Sequence, residues 1–326
     1  MEGDIYMILS VSRRTDIPAF YSEWFINRIK EGFVYVRNPF NYNQVSKVKL
    51  SPDNVDCIVF WSKNPKPLVE KINILDDLKY KYYFQFTITP YKKDLEKNIG
   101  DKKDIINTFI DLSKLIGKNR VILRYDPILQ NENYNVRFHV QAFDKLCTLL
   151  CNYTEKVIIS FLDDYNKVIR NINSLKIREI TGDDMKLIAY EFKGIADKHG
   201  LIIETCAEKI DLSEIGINHG KCIDGDLIES IIGYKIKNKN LLDGNREHCG
   251  CMKCIDIGQY DTCIHNCLYC YANVNKDKAI RNYKMHNPNS PILFGEYDED
   301  QVKERKDVES YKTNNEDDIT KQISLF

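Results

Sequence analysis

No apolar run in this sequence reaches about 18 residues, so nothing in it reads as a membrane-spanning helix. Its start, MEGDIYMILSVSRRTD, has no basic stretch followed by an apolar one, and no secretory signal is expected. Neither sign of charge is in excess: 47 Lys and Arg face 48 Asp and Glu, a formal net charge of −1. That excludes a globally basic nucleic-acid binder but leaves room for a local basic channel. No strand-like run is followed by G-x-G-x-x-G and there is no Walker loop, so dinucleotide and P-loop readings lack support. What the sequence does have is 11 cysteines. An odd count without a signal segment argues against a disulfide framework and for a reducing, cytoplasmic setting.

Apolar residues make up 43% of the chain and charged residues 29%, enough to bury a large core and stay in solution. Six short runs rich in β-branched and aromatic residues read as strands: YMILSVS (6–12), DCIVFWS (56–62), YYFQFTIT (82–89), RVILRYDP (120–127), KVIISFLD (156–163) and GLIIETCAE (200–208). Helical periodicity fills the intervals, as in YSEWFINRIKEG, NPKPLVEKINILDDL, KKDIINTFIDLSKLIG and DDMKLIAYEFKGIADKHG. The last two end at Gly117 and Gly200, where a C-terminal cap is expected. The expected fold is α/β, a full or partial (β/α) barrel over residues 1–214, with an open doubly wound sheet as the alternative. Residues 215–290 are read as a Cys-rich segment completing the barrel, and 291–326 as an acidic flexible tail.

Barrels of this kind carry their chemistry at the C-terminal ends of strands. Those ends hold Arg13, Arg14, Thr15 and Asp16, then Lys63 and Asn64, then Thr87 and Thr89. Arg124 and Asp126 end the fourth run, Asp163 and Asp164 the fifth, and Glu204, Cys206 and Glu208 the sixth. Each alone is an ordinary cap or solvated side chain; their recurrence marks a shared site. Arg13, Arg14, Asp16, Arg124 and Asp126 are the candidate catalytic residues. The cations among them suit phosphates or carboxylates, or pair with Asp16 and Asp126. His139, His199, His219, His248 and His286 show no ligand spacing and read as surface or core residues.

Cys57, Cys147 and Cys151 lie in apolar segments and read as core thiols, whereas eight cysteines follow residue 205. Residues 263–270, CIHNCLYC, place Cys263, Cys267 and Cys270 in a C-x3-C-x2-C pattern. Three thiolates at this spacing can bind three irons of a cubane and leave the fourth open to a small molecule. A zinc knuckle completed by His265 or another Cys is the alternative. The motif resembles the signature of radical S-adenosylmethionine enzymes, with Tyr269 as the aromatic residue before the last Cys. The resemblance implies a site-differentiated [4Fe–4S] cluster, chelated S-adenosylmethionine, Tyr269 beside the adenine, and a 5′-deoxyadenosyl radical. It also implies a reductant such as flavodoxin or ferredoxin.

That signature normally follows the first barrel strand; here it follows the sixth run, which a circular permutation explains by making residues 6–12 the second strand of the usual order. VSRRTDI, VFWSKNP, YFQFTIT and VILRYDPIL resemble strand ends of the spore photoproduct lyase branch. The implied S-adenosylmethionine contacts are Thr15, Lys63 and Thr87. The lyase has a hydrogen-donating cysteine just before the first hydroxyl; Arg13 and Arg14 stand there in this sequence, so photoproduct reversal is not implied. The whole chain resembles more closely a bacterial and archaeal family with SRRTDIPA near the start and DIGxYDTCxxxCxYCYAN near the end, which implies no substrate.

Cys206, Cys222, Cys249 and Cys251, with Cys254 as substitute, supply ligands for a second site, read as an auxiliary [4Fe–4S] cluster, a structural zinc or free thiols. The chain ends QISLF after an acidic stretch. Gln322, Leu325 and Phe326 resemble the bacterial sliding-clamp-binding peptide; the alternative is that the apolar pair folds back onto the protein. These features together point to a radical enzyme acting on DNA, in repair or modification, tethered to the clamp. Radical chemistry on a peptide, RNA or metabolite, and a non-catalytic zinc or iron–sulfur module, are the alternatives.

Overall fold

The computed structural model describes residues 7–162, 176–237, 239, 242–244 and 248–305. In chain order the first half holds β1 (Met7–Val11), α1 (Ile17–Phe20), α2 (Ser22–Glu31), β2 (Phe33–Asn38), β3 (Asn41–Lys49), β4 (Val55–Ser62), α3 (Lys66–Val69), α4 (Ile72–Asp77), β5 (Tyr82–Thr87), α5 (Lys102–Ile116), β6 (Val121–Ile128) and α6 (Val136–Leu150). The second half holds β7 (Lys156–Phe161), α7 (Gly182–Lys198), β8 (Ile202–Thr205), β9 (Asn218–His219), α8 (Gly225–Ile232), β10 (Ile255–Asp256), α9 (Lys276–Lys284) and β11 (Lys303–Glu304). No helix among the described residues is long and apolar enough to cross a membrane.

Eight strands form one parallel sheet in the order β10-β1-β4-β5-β6-β7-β8-β9. All six expected runs are strands in it. Among the described residues β10 and β9 are edges that do not pair with each other, so of the expected full or partial barrel the sheet is compatible with the partial form and no closed barrel is formed. The late strand β10 lies beside β1, so the segment entering the CIHNCLYC motif joins the sheet next to the first strand.

Side-chain alternation divides the sheet into two faces. Leu9, Val11, Phe60, Phe84, Leu123 and Tyr125 share a core with the helices, and Phe143 of α6 stacks on Phe192 of α7 at 3.9 Å between ring centroids. On the other face Ile8, Cys57, Val59, Tyr83, Ile122 and Ile158 pack against Cys222, Ile223, Ile228 and Met252. Two or four residues further along the same strands this face turns polar, with Ser10, Trp61, Gln85, Arg124, Asp126 and Ser160. A parallel sheet covered on both sides leaves such residues buried unless a cavity opens above them, and that change of polarity positions the site.

Caps set the helix ends. The Asp101 side chain accepts from Lys103 N at the start of α5, and α2 ends on Gly32 at φ +76°. The helical pattern over 64–78 is two short helices, because Lys71 leaves helical geometry at φ −121° and its N–H turns back to Leu68 O. The hairpin β2–β3 joins β11 in a second, three-stranded sheet. Residues 291–305, expected in the tail, are packed: Ile292 and Leu293 are buried and β11 pairs with β3. Two helices, α8 and α9, form in segments that had read as loop-like or merely polar. Asp163, Asp164, Gln322, Leu325 and Phe326 lie outside the described residues.

Candidate functional site

A cavity of about 470 Å³ opens at the C-terminal ends of the strands. Arg13, Arg14, Thr15 and Asp16 line it, as do Lys63, Thr87, Arg124, Asp126 and Tyr269. So do Cys263, Cys267 and Cys270, and from the opposite side Cys206, Cys222, Cys249 and Cys251. Residues from both ends of the chain therefore converge; Cys254 and the strand-end residues Asn64, Thr89, Glu204 and Glu208 are not in the cavity wall.

Two buried carboxylates tie the late motif to the early strands. Asp256 accepts from Ser10 Oγ (2.8 Å), Ser12 Oγ (2.6 Å), Arg13 N (2.8 Å) and Gly258 N (3.0 Å). Gly258 is required by this closeness, since a Cβ there would lie 2.0 Å from Ser12 Oγ. Asp16 accepts from Ala19 N (3.0 Å), Ser62 Oγ (2.7 Å), Lys63 N (2.8 Å) and His265 Nε2 (2.7 Å). Asp16, expected as a catalytic group, has two donors on each oxygen and is bonded through His265 to the CIHNC loop. His265, considered a zinc ligand, spends one ring nitrogen on that carboxylate, and its Nδ1 is buried without a partner.

The arginines are similarly committed. Arg13 Nη2 bonds to Asp243 Oδ2 at 2.6 Å and to Cys254 Sγ at 3.1 Å. Arg124 is buried, bonds to Asp126, reaches Cys222 Sγ at 2.7 Å and lies 5.2 Å from the Trp61 ring. Burial works against ionised Asp126, but Arg124 and Ser160 outweigh it and hold its carboxyl low. Arg14 is the looser of the three, over the Tyr260 ring at 5.7 Å with a 3.5 Å contact to Gly258 O.

Glu96 is the hub that sequence reasoning missed. It receives Lys63 Nζ (2.9 Å), Lys102 Nζ, Thr89 Oγ1 (2.6 Å) and the Tyr269 hydroxyl. Burial alone would raise its carboxyl, but Lys63 and Lys102 win and bring it down to about 2. Lys63 and Tyr269, expected separately as cofactor contacts, are thus one network, with the ammonium 5.5 Å from the Tyr269 ring centroid. Thr15 differs: its Oγ1 is buried, faces the cavity region and has no partner. Nothing in KKDLEKNIG marks Glu96 apart from its solvated neighbours; Asp256 stood within the quoted DIGxYDT pattern without a role.

The thiols form two groups. Burial raises Cys263, Cys267 and Cys270 above the usual thiol range. In the second group Cys222 Sγ lies 3.3 Å from Cys206 Sγ, and Cys251 bonds with both Cys222 and Cys249. A hydrogen bond from Cys251 brings Cys249 down to about 7 against its burial. The structure therefore joins Cys206, Cys222, Cys249 and Cys251 and assigns Cys254 to Arg13. Among the described residues no three His, Cys, Asp or Glu side chains gather so as to hold a single metal ion.

Residues 8–272, which include every one of these cavity-lining thiols, match the family described as a domain of unknown function, DUF1848. The chain belongs to the DUF1848 family. No curated protein matches it. Among solved structures, a crystal structure named as an alpha-L-fucosidase of Bacteroides thetaiotaomicron VPI-5482 is 13% identical, covers 50% of this chain and 67% of its own, and has a TM-score of 0.24. A likeness that slight bears on neither fold nor chemistry. The DUF1848 match spans both the early strand ends and the late cysteines, so the two halves of the cavity belong to one family unit.

Proposed function

We propose that this DUF1848 protein is a radical S-adenosylmethionine enzyme of circularly permuted, partial-barrel type, acting on nucleic acid. The observation that carries the proposal is the convergence of Cys263, Cys267 and Cys270 with Thr15, Lys63 and Thr87 in one cavity at the strand ends. The order β10-β1-β4-β5-β6-β7-β8-β9 supports it by putting the strand before the Cys loop ahead of β1.

The residues fit the group. The donor set is wholly soft thiol, which suits iron–sulfur ligation. Cys263, Cys267 and Cys270 would hold the cluster, and the unpartnered Thr15 Oγ1 offers a hydrogen bond to the bound cosubstrate. When bound, and supplied with one electron by a reductant such as flavodoxin or ferredoxin, the cluster and S-adenosylmethionine would supply the chemistry of hydrogen-atom abstraction. The chain's own part is to orient and to exclude water. Asp16 fixes the CIHNC loop through His265, and Glu96 fixes Lys63 and Tyr269 in the wall. Cys206, Cys222, Cys249 and Cys251 are proposed as ligands of a second iron–sulfur centre in the same chamber, and Gln322, Leu325 and Phe326 as a clamp tether.

The test is anaerobic reconstitution with iron and sulfide, followed by dithionite and S-adenosylmethionine. 5′-Deoxyadenosine should accumulate with the parent chain and not with Cys263→Ala, Cys267→Ala or Cys270→Ala. A cluster-loaded parent chain that releases none, or anaerobically purified protein carrying zinc alone, overturns the proposal.

A further inference from the structure

We infer that the tip of the β2–β3 hairpin is a substrate finger that stacks an unpaired nucleobase over the mouth of the cavity. Phe40 at this tip is 95% exposed and also belongs to the cavity wall. A phenyl ring so placed gains nothing from the protein's own core, and the hairpin turn that carries it is fixed by side-chain hydrogen bonds. Phe40 N–H donates to Asn38 Oδ1 at 2.9 Å, and Asn38 Nδ2 donates to Gln44 Oε1 at 2.7 Å across the hairpin. Below them the buried Arg37 bonds to the carbonyls of Tyr42 and Glu296, with its guanidinium 4.0 Å from the Tyr42 ring centroid. The hairpin thus presents the ring to water at the entrance, with its face open to a planar partner.

The rest of the rim defines that partner. Tyr260 and Tyr271, each 40% exposed, stand in the same wall, and Arg14 lies over Tyr260. Aromatic faces interleaved with arginine are how proteins grip single strands, the rings stacking on bases and the guanidinium meeting phosphate. Arg13, Lys63 and Arg124 are each paired with a carboxylate, whereas no carboxylate among the described residues pairs with Arg14, which leaves one uncompensated cation at the rim. That balance favours an anionic strand over a cationic or neutral peptide. A stacked duplex offers only base edges, so the face that Phe40 needs belongs to an unpaired or extruded nucleotide.

The inference rests on the reading of this cavity as the reaction chamber, and its test needs no turnover. Full-length protein, prepared anaerobically, is titrated with a short fluorescein-labelled oligonucleotide, single-stranded or annealed, and followed by anisotropy. The parent chain should prefer the single strand. Phe40→Ala should weaken that binding about 5- to 100-fold, the range for losing one stacked base. Phe40→Trp should keep it, with indole fluorescence quenched on binding. Because Phe40 is exposed, unchanged thermal unfolding of the variants will show that the fold is not the cause. The inference fails if Phe40→Ala binds as the parent does, if Phe40→Leu binds as tightly, if duplex is preferred, or if an aromatic peptide binds and the oligonucleotide does not. Loss of oligonucleotide binding leaves 5′-deoxyadenosine formation as a separate measurement, and absence of that product leaves the binding result standing.

Discussion

Replacing Asp16 should loosen the CIHNC loop in proportion to the donors left unmet. Its carboxylate receives two backbone N–H groups, one hydroxyl and one imidazole N–H, two donors on each oxygen. In Asp16→Asn one oxygen becomes an NH2 group. If the amide faces Ala19 and Ser62, the serine hydroxyl can turn and accept, but Ala19 N–H meets another donor. If it faces Lys63 and His265, the imidazole can change tautomer, but Lys63 N–H is stranded. Either way one buried backbone donor is orphaned, at about 1–3 kcal/mol, and the surviving bonds lose their charge assistance. We expect Asp16→Asn to cost about 2–4 kcal/mol, and Asp16→Ala, which orphans all four donors, about 3–5 kcal/mol. Ser62→Ala removes one donor to Asp16 and the acceptor of the half-buried Asn64 N–H, and should cost about 1–2 kcal/mol. Urea unfolding followed by circular dichroism should rank the parent above Ser62→Ala, then Asp16→Asn, then Asp16→Ala. Iron retained after reconstitution should fall in the same order, because His265 sits between Cys263 and Cys267. Asp16→Asn proving no costlier than Ser62→Ala would refute the hub.

Two further outcomes follow from other parts of the chain. Burial brings His139 from 6.5 down to about 4, with Nε2–H given to Leu129 O and Nδ1 accepting from Tyr125. The unfolded chain then binds this proton at higher pH than the folded one, so stability is full above about pH 6.5 and falls by about 3 kcal/mol as pH drops to 4. His139→Gln should lack that component, and urea titrations across this range should show its gap to the parent narrowing; parallel curves would reject the assignment. Deleting residues 321–326 should abolish binding to purified sliding clamp in surface plasmon resonance, and a truncated chain that binds equally well removes the tether.

Where one type of interaction dominated, the sequence was enough. Runs apolar on both faces became parallel strands because only a doubly covered sheet buries them, and polar ends of those runs became the cavity wall. The hairpin β2–β3 was missed because β3 is largely exposed, so its outward residues carry no burial signal. The 215–262 segment read as loop because its apolar residues are scattered, yet Ile223, Ile228 and Met252 cover the strands' inner face. Individual strand-end residues were found more readily than their tasks. Arg13, Arg124, Lys63 and Asp16 all reach the cavity, but each is held by a partner such as Asp243, Cys222, Glu96 or His265 that lies far away in sequence. Spacing along one chain cannot reveal pairs formed only by folding.

That distance also explains why charged carboxylates reinforce the neutral contacts that join the two ends. Asp256 meets Ser12 across 244 residues, Asp16 meets His265 across 249, and the Tyr21 hydroxyl meets Thr262 O across 241. Closing a chain of such length costs about 5 kcal/mol in its length-dependent part. A neutral hydrogen bond contributes about 1 kcal/mol and a charge-assisted one about 1.5–3, so no single contact offsets closure. The cost is met once, however. After β10 has paired with β1, every later bond between the same segments forms at little further entropic expense. Two carboxylates, each gathering four donors from both sides of the junction, concentrate the largest gains where the cysteine loop must be held against the early strands.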